Sequence, residues 1–248
     1  MMRVMHPLAP HATLRAAINL GNALLARRNP DATLAGLSVD LAQALADECH
    51  LPLQLLALPT AAAAVAAVRD GQADIGFFAV DPQRSEGLAF TAPYLWIEGS
   101  YLIRADSALQ CNDDIDQPGV RVVVAQGSAY DLFLSRTLRH ARIERAPSTP
   151  EVVPHFIASG AEVAAGIRAV LQGEVNRQPG LRLLPGHFMR IEQAMACRAA
   201  AGPQAAQILF DFVERAKASG LIAALMARHG VNGATVAPAA RDLSSHGS

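Results

Sequence analysis

The chain has 248 residues, of which 51% are apolar and 17% are charged, and its formal net charge is -1. This composition allows one large domain or two ordinary ones to bury a sizeable core, and it excludes extensive disorder. No basic stripe interleaved with aromatic residues is present, so nucleic acid is not an expected partner.

The amino terminus does not read as a secretory signal, because His6, Pro7, Pro10, His11 and Arg15 interrupt its apolar residues. No run reaches the ~18 apolar residues that a membrane-spanning helix needs, so we expect no membrane insertion. On this ground a cytoplasmic location is one alternative for the chain.

Neither the cysteines nor the histidines have the spacing of a structural or metal site. The three cysteines, Cys49, Cys111 and Cys197, are odd in number and far apart, which is not the pattern of a disulfide framework. Neither a CxxC nor an HExxH motif occurs, and the eight histidines are scattered. We therefore expect no metal and no cofactor.

The most informative stretch is a buried strand over 73–78 followed by signals for the start of a helix. Asp81 suits the N-cap and Pro82 the first helical position. Arg84 would then add a guanidinium to the positive end of the helix dipole, which is a suitable place for a carboxylate. The alternative is that Arg84 pairs with Glu86 or lies in solvent.

Strands and helices alternate along the chain in two series. The first series contains strands over 14–18, 53–58 and 73–78, a loop over 19–22, and helices that begin near residue 37 and span about 61–69. The second contains strands over 121–125, 143–145, 163–167 and 180–184, and helices over about 129–138 and from 148 onwards. Two helices, about 204–217 and 221–229, close the chain. The alternation predicts an α/β fold with mainly parallel sheets.

Extended runs over 95–104 and 192–197 are natural places for the chain to cross between two lobes. A cleft between lobes is a common home for a small ligand, and the loops at the carboxyl ends of the strands would face it.

Five motifs in this order resemble the type 2 periplasmic solute-binding fold, and specifically the polar amino-acid-binding family of ABC importers. They are GLSVDL at 36–41, GQADI at 71–75, Arg84, FTAPY at 90–94 and QGS at 126–128. The resemblance covers roughly residues 13–233. It implies a two-lobed α/β fold whose lobes are joined by two crossing strands.

The resemblance also implies a domain division and a set of partners. Lobe 1 would comprise residues 1–98 and 196–236, lobe 2 residues 99–195, and 237–248 would be a flexible tail. The expected partners are a small carboxylate or amino acid and an ABC permease, and the chain is expected to be a monomer. A periplasmic location is implied by the family, in contrast to the amino-terminal sequence.

The family assigns the ligand's α-carboxylate to its arginine, so the resemblance implies that role for Arg84. It implies further ligand contacts on both lobes, at Asn19, Asn22, Phe78, Ala79, Ser128, Ala129 and Tyr130. The family often has hydroxyl residues before its arginine, whereas this chain has the apolar residues 77–80 there.

A second departure concerns the ligand's ammonium group. The family's acidic residue for this group corresponds to the strand 164–168, which here ends in Arg168. Two arginines would favour a ligand with two anionic groups, or a carboxylate without an amine, whereas Glu98 could restore the negative charge. Alternatively, Glu98 is a solvated hinge residue and Arg168 pairs with Glu162 or Glu174.

Three functions are compatible with these residues. The first is a solute-binding protein that closes on a carboxylate-bearing ligand, without a catalytic residue. The second is a dehydratase acting on a prephenate-like dicarboxylate, for which Glu98 and Glu192 are the candidate acids. The third is a ligand sensor that regulates a partner.

Overall fold

A computed structural model describes residues 6–240. The chain start and residues 241–248 of the predicted tail lie outside the described residues. The described chain divides into two compact units. Unit 1 holds residues 6–96 and 192–240, and unit 2 holds residues 97–191.

The first part of the chain forms β1 (Leu14–Asn19), β2 (Arg27–Arg28), β3 (Leu34–Ala35), α1 (Leu37–Glu48), β4 (Leu53–Leu58), α2 (Ala61–Arg69), β5 (Ile75–Ala79), β6 (Leu88–Phe90) and β7 (Leu95–Arg104). The second part forms β8 (Arg121–Ala125), α3 (Ala129–Thr137), β9 (Arg142–Ala146), α4 (Val152–Ser159), β10 (Val163–Ile167), α5 (Arg168–Arg177), β11 (Leu181–Leu183), β12 (Met189–Arg198), α6 (Pro203–Ala218), α7 (Leu221–His229) and β13 (Ala234–Val236). The unit boundaries fall within β7 and β12.

The sheet of unit 1 has the order β4-β1-β5-β12-β6. Strand β1 is parallel to both β4 and β5, whereas β12 runs antiparallel to β5 and β6. All five residues of β5 are buried, as expected for a strand covered on both faces. Thr60 is the N-cap of helix α2, and its hydroxyl accepts a hydrogen bond from Ala63 N. The helix packs Val65 and Val68 into the core cluster that contains Phe78.

The sheet of unit 2 has the order β9-β8-β10-β7-β11. Strand β8 is parallel to β9 and β10, and β7 runs antiparallel to β10 and β11. Each unit therefore has a parallel core of three strands with antiparallel strands added beside it, which agrees with the predicted α/β class. Parallel neighbours end at one edge of the sheet, so the residues that follow β8 and β10 lie together, as do those that follow β1 and β5.

Several elements differ from the sequence prediction. Helix α5 occupies a stretch for which no helix was predicted, and Arg168 is its first residue. Residues 234–236, for which no strand was predicted, form β13, which pairs with β7. Within residues 6–240, no helix combines the length and the apolar character that crossing a membrane demands.

Candidate functional site

The segment after β5 is a single helical turn. The backbone N–H groups of Arg84 and Ser85 donate to Asp81 O at 2.9 and 3.1 Å, and Gln83 N donates to Asp81 Oδ1 at 2.9 Å. Asp81 thus caps the turn as predicted, but the predicted helix does not follow. Gly87, at φ 75°, ends the turn, and β6 begins at the next residue.

The side chain of Arg84 is buried, with only 6% of the residue exposed. Its Nη1 donates to Ala79 O, the last carbonyl of β5, at 3.4 Å. Burial lowers the pKa of the guanidinium, while the charge of nearby Asp81 acts in the opposite direction. The alternative that Arg84 lies in solvent is therefore wrong. An arginine remains charged even so, and it can present a planar pair of donors to a carboxylate.

Asn19 and Asn22 lie near the same edge of the unit 1 sheet. Asn19 is the last residue of β1, one position longer than the predicted strand, and its Oδ1 accepts from Gly21 N at 2.9 Å. The Oδ1 of Asn22 accepts from Leu24 N at 3.3 Å. Both carboxamides thus cap local turns through their oxygens, which leaves their NH2 groups as the donors that could reach a ligand.

Phe78 and Ala79 differ in where the structure places them. The Phe78 ring is 1% exposed, belongs to the core cluster of unit 1, and lies edge-on to Phe90 at 6.4 Å between ring centroids. The Phe78 side chain therefore packs into the core of unit 1, and a ligand contact at this position stays a prediction. Ala79 is buried beside the Arg84 turn and contributes its carbonyl there.

In unit 2, the turn between β8 and α3 carries the three residues predicted for the site. Ser128 is the N-cap of α3, and its Oγ accepts from Asp131 N at 3.1 Å. Ala129 is the first residue of the helix. Tyr130 is 2% exposed, its hydroxyl donates to Thr149 Oγ1 at 3.4 Å, and burial raises its pKa. The turn itself is thus well ordered by its cap, while Tyr130 points into the unit.

The Tyr130 side chain lines a cavity of about 30 Å³ inside unit 2, together with Thr149, Gly166, Leu171 and Glu174. A cavity of this size holds about one water molecule and is too small for an amino acid. We therefore assign it to the interior of the unit and not to ligand binding.

Glu98 and Arg168 lie side by side in unit 2. The Nε of Arg168 is 3.6 Å from Glu98 Oε2, and the Nδ1 of His187 is 3.7 Å from Glu98 Oε1. The Nη1 of Arg168 also donates to Gly186 O at 2.6 Å and to Ser100 Oγ at 3.3 Å. We call these five residues the Glu98 cluster.

The alternative pairings of Arg168 are wrong in this structure. Glu162 instead accepts two hydrogen bonds from the Arg121 guanidinium, and Glu174 pairs with Arg177. The reason for the Glu98 contact is the antiparallel register of β7 and β10, in which Ile167 lies opposite Gly99. In this register the residue after Ile167 lies opposite the residue before Gly99, which brings Arg168 to Glu98.

Sequence reasoning missed Ser100, Gly186 and His187, because their positions depend on pairing between distant segments. Gly99 was the feature of the sequence that could have indicated close packing of another segment on this strand. A Cβ at this position would lie 2.8 Å from Met189 Cγ and 3.1 Å from Phe188 Cζ. The Phe188 ring stacks on Tyr101 at 4.3 Å between centroids, so the segment carrying His187 packs closely on β7. Among the described residues, no group of three His, Cys, Asp or Glu side chains is placed to hold a metal ion.

Comparison with known families gives one match, to the model of the bacterial extracellular solute-binding proteins, family 3, over residues 14–232. No curated protein matches the chain.

Solved structures match over most of the chain. A putative ABC-transporter binding component from Wolinella succinogenes, complexed with lysine, has a TM-score of 0.75 and 19% identity, covering 88% of this chain and 95% of that one. An amino acid ABC transporter substrate-binding protein from Streptococcus pneumoniae, bound to L-arginine, has a TM-score of 0.73 and 19% identity, covering 88% of this chain and 94% of that one. An ancestral amino acid-binding protein described as a precursor of cyclohexadienyl dehydratase has a TM-score of 0.72 and 19% identity, covering 88% of this chain and 95% of that one. These likenesses confirm the predicted fold class.

Proposed function

Because the chain belongs to family 3 of the bacterial extracellular solute-binding proteins, we propose that it binds a free amino acid and releases it unchanged. The single observation that carries this proposal is the guanidinium of Arg84. It lies buried just beyond the carboxyl end of β5, at the position that the motifs assign to the carboxylate-binding arginine. Structural neighbours that bind lysine and arginine support an amino acid as the class of ligand.

In this proposal, Arg84 holds the α-carboxylate through two parallel hydrogen bonds. The amide of Asn19 and the last carbonyls of β5 lie at the same sheet edge and complete the contacts from unit 1. In unit 2, Ser128 and the N–H groups at the start of α3 offer a second set of donors, because a helix N-terminus favours negative charge. We further propose that the protein supplies an ABC-type uptake system, since two of the neighbours carry that description.

The experiment is a thermal-shift panel of the twenty L-amino acids. A ligand that binds only the folded protein raises the melting temperature by an amount that grows with its concentration. We expect at least one amino acid to do so, and we expect Arg84→Ala to abolish the shift. Arg69→Ala is the matched control, because Arg69 is an exposed arginine of unit 1 whose Nε donates to Glu86 O. A shift that survives in Arg84→Ala contradicts the assignment.

One neighbour gives a reason to test catalysis as well, because it is described as a precursor of a dehydratase. Of the two candidate acids, Glu192 lies on β12, where its carbonyl accepts from Val80 N at 2.8 Å. Incubation with prephenate should yield no phenylpyruvate. Release of phenylpyruvate that Glu98→Gln or Glu192→Gln abolishes would favour the enzyme instead.

A further inference from the structure

Two opposite charges are buried in the single helical turn that follows β5. Asp81 is 4% exposed and Arg84 is 6% exposed. Arg84 N donates to Asp81 O at 2.9 Å, so the two residues lie three positions apart in one turn, where side chains are neighbours. Burial lowers the pKa of the Arg84 guanidinium, and the charge of Asp81 opposes this effect. Since a buried charge is unfavourable unless an opposite charge compensates it, Asp81 stabilises Arg84 in the absence of a ligand.

The cap that Asp81 forms does not by itself require a negative charge. Its Oδ1 accepts from Gln83 N at 2.9 Å, and its backbone O accepts from Arg84 N and Ser85 N. Asparagine and serine supply an oxygen to such a cap about as well as aspartate does. The charge of Asp81 therefore has a consequence that is separate from the cap, and this consequence concerns Arg84.

The same charge acts on any anion that binds Arg84. A carboxylate held by the guanidinium comes close to Asp81, because both side chains belong to one turn. Two like charges about 6 Å apart repel by more than the thermal energy at the effective dielectric constant of a protein. Asp81 also cancels much of the additional attraction that a second negative charge on the ligand would have for Arg84. It should thus stabilise the ligand-free protein and weaken the binding of anions, most of all those with two charges.

We propose that Asp81 is the counter-charge of Arg84 in the ligand-free protein, and that it restricts this position to acid groups with a single negative charge. The α-carboxylate of an amino acid is such a group. This inference rests on the proposed function, in which Arg84 binds that carboxylate, and it makes Asp81 a specificity-determining residue. Both residues belong to unit 1.

The first test is a double-mutant cycle in the absence of any ligand. The proteins are the wild type, Asp81→Asn, Arg84→Gln and the double variant, and the measurement is the urea midpoint of unfolding. Asp81→Asn keeps an oxygen for the cap and removes the charge, and Asp81→Ser is a second variant of the same kind. We expect each single variant to lower the midpoint, and the double variant to lose less than the sum of the two losses. Strictly additive losses would overturn the compensation of Arg84 by Asp81.

The second test is isothermal titration calorimetry with the amino acid that binds most tightly among the twenty L-amino acids. Asp81→Asn should bind it roughly 10-fold more tightly than the wild-type protein, although its urea midpoint is lower. A purely structural role would instead weaken both stability and binding. Far-UV circular dichroism verifies that each variant is folded.

Asp74→Asn is the matched control, because Asp74 is another buried carboxylate of unit 1 that pairs with an arginine. Its side chain is 6% exposed, and it accepts hydrogen bonds from the Arg15 guanidinium. Asp74 precedes β5 whereas Asp81 follows it, so the two lie near opposite ends of the strand. Asp74→Asn should lower the urea midpoint and leave the affinity for the amino acid unchanged. A gain in affinity equal to that of Asp81→Asn would overturn the inference.

The third test compares this amino acid with its 1-aminophosphonate analogue, whose acid group carries up to two negative charges. For L-alanine, for example, the analogue is 1-aminoethylphosphonate. The wild-type protein should prefer the carboxylate. Asp81→Asn should improve binding of the phosphonate by a larger factor than binding of the amino acid, roughly 100-fold against 10-fold. Equal factors for the two ligands would overturn the role of Asp81 in specificity.

The remaining outcomes separate this inference from the proposed function. If Asp81→Asn binds the amino acid more weakly while Arg84→Ala loses binding, the inference is overturned and the proposed function stands. If no amino acid binds the wild-type protein, the proposed function fails together with the role of Asp81 in specificity. The urea midpoints then still decide whether Asp81 compensates the charge of Arg84.

Discussion

Asp74 accepts three hydrogen bonds from Arg15, from the backbone N at 2.8 Å, Nε at 3.1 Å and Nη2 at 2.6 Å. Unit 2 repeats this arrangement, since Glu162 accepts from Arg121 N, Nε and Nη2 at 2.8, 3.1 and 2.9 Å. In both units the arginine lies near the start of the first parallel strand of the series, and the acid lies just before the third. The same device therefore fixes the amino-terminal edge of each sheet, opposite the edge that carries the candidate ligand residues.

Asp74→Asn should destabilise unit 1, because Asp74 is nearly buried and its loss leaves the Arg15 guanidinium without its charged partner. We expect a loss of about 3 kcal/mol in the free energy of unfolding, measured by urea titration with circular dichroism. Glu86→Gln, a neutralisation at an exposed position of the same unit, should change the free energy by less than about 0.5 kcal/mol. An equal effect of the two substitutions would contradict the structural role of the pair.

The Arg121–Glu162 pair should make the stability of the protein depend on pH. The Arg121 guanidinium holds the pKa of Glu162 below its ordinary value. A carboxyl whose pKa is lower in the folded state contributes stability above its unfolded pKa of about 4.3, and this contribution disappears as the pH falls towards the folded value.

The wild-type protein should therefore be more stable than Glu162→Gln at pH 7, and the difference should shrink as the pH is lowered from about 5 to about 3. Urea midpoints of both proteins across this range provide the measurement. A difference that stays constant with pH would show that the charge of Glu162 does not contribute.

Gly99 should not tolerate a side chain, although it lies in a strand and not in a turn. The added methyl of Gly99→Ala would meet Met189 Cγ and Phe188 Cζ, so the stacked segment beside β7 must shift. We expect a loss of about 1–3 kcal/mol. Gly173→Ala is the matched control, since its Cβ meets nothing within 4 Å in α5, and it should stabilise the protein by up to about 1 kcal/mol. If the two substitutions changed the free energy of unfolding in the same direction, this packing argument would be contradicted.

Strands bounded by local signals could be predicted from the sequence. The strands over 53–58, 95–104, 121–125 and 163–167 and the helix over 221–229 have the bounds that apolar runs with flanking proline or glycine indicated. Helix α5 was missed because its N-cap, Ile167, offers no side-chain cap and its sequence is mostly polar. The capping signal at Asp81 was read correctly, but the strand β6 prevents the helix from continuing.

The candidate residues were only partly predictable, because the neighbours of some of them depend on pairing between distant segments. Arg84 could be found from a local motif. The neighbours of Glu98 could not, since they follow from the antiparallel register of β7 with β10 and from the packing of residues 186–189 on β7. The direction of the Phe78 side chain could not be predicted for a different reason: an unbroken apolar run does not show which residues of a fully buried strand point to which face.

The central claim is that Arg84 binds the carboxylate of a free amino acid, and calorimetric titration of the best amino acid of the panel tests it most directly. Wild-type protein and Arg69→Ala should bind it with equal affinity, and Arg84→Ala, folded by circular dichroism, should bind it roughly 100-fold or more weakly. Binding by Arg84→Ala as tight as that of the wild-type protein would contradict the account.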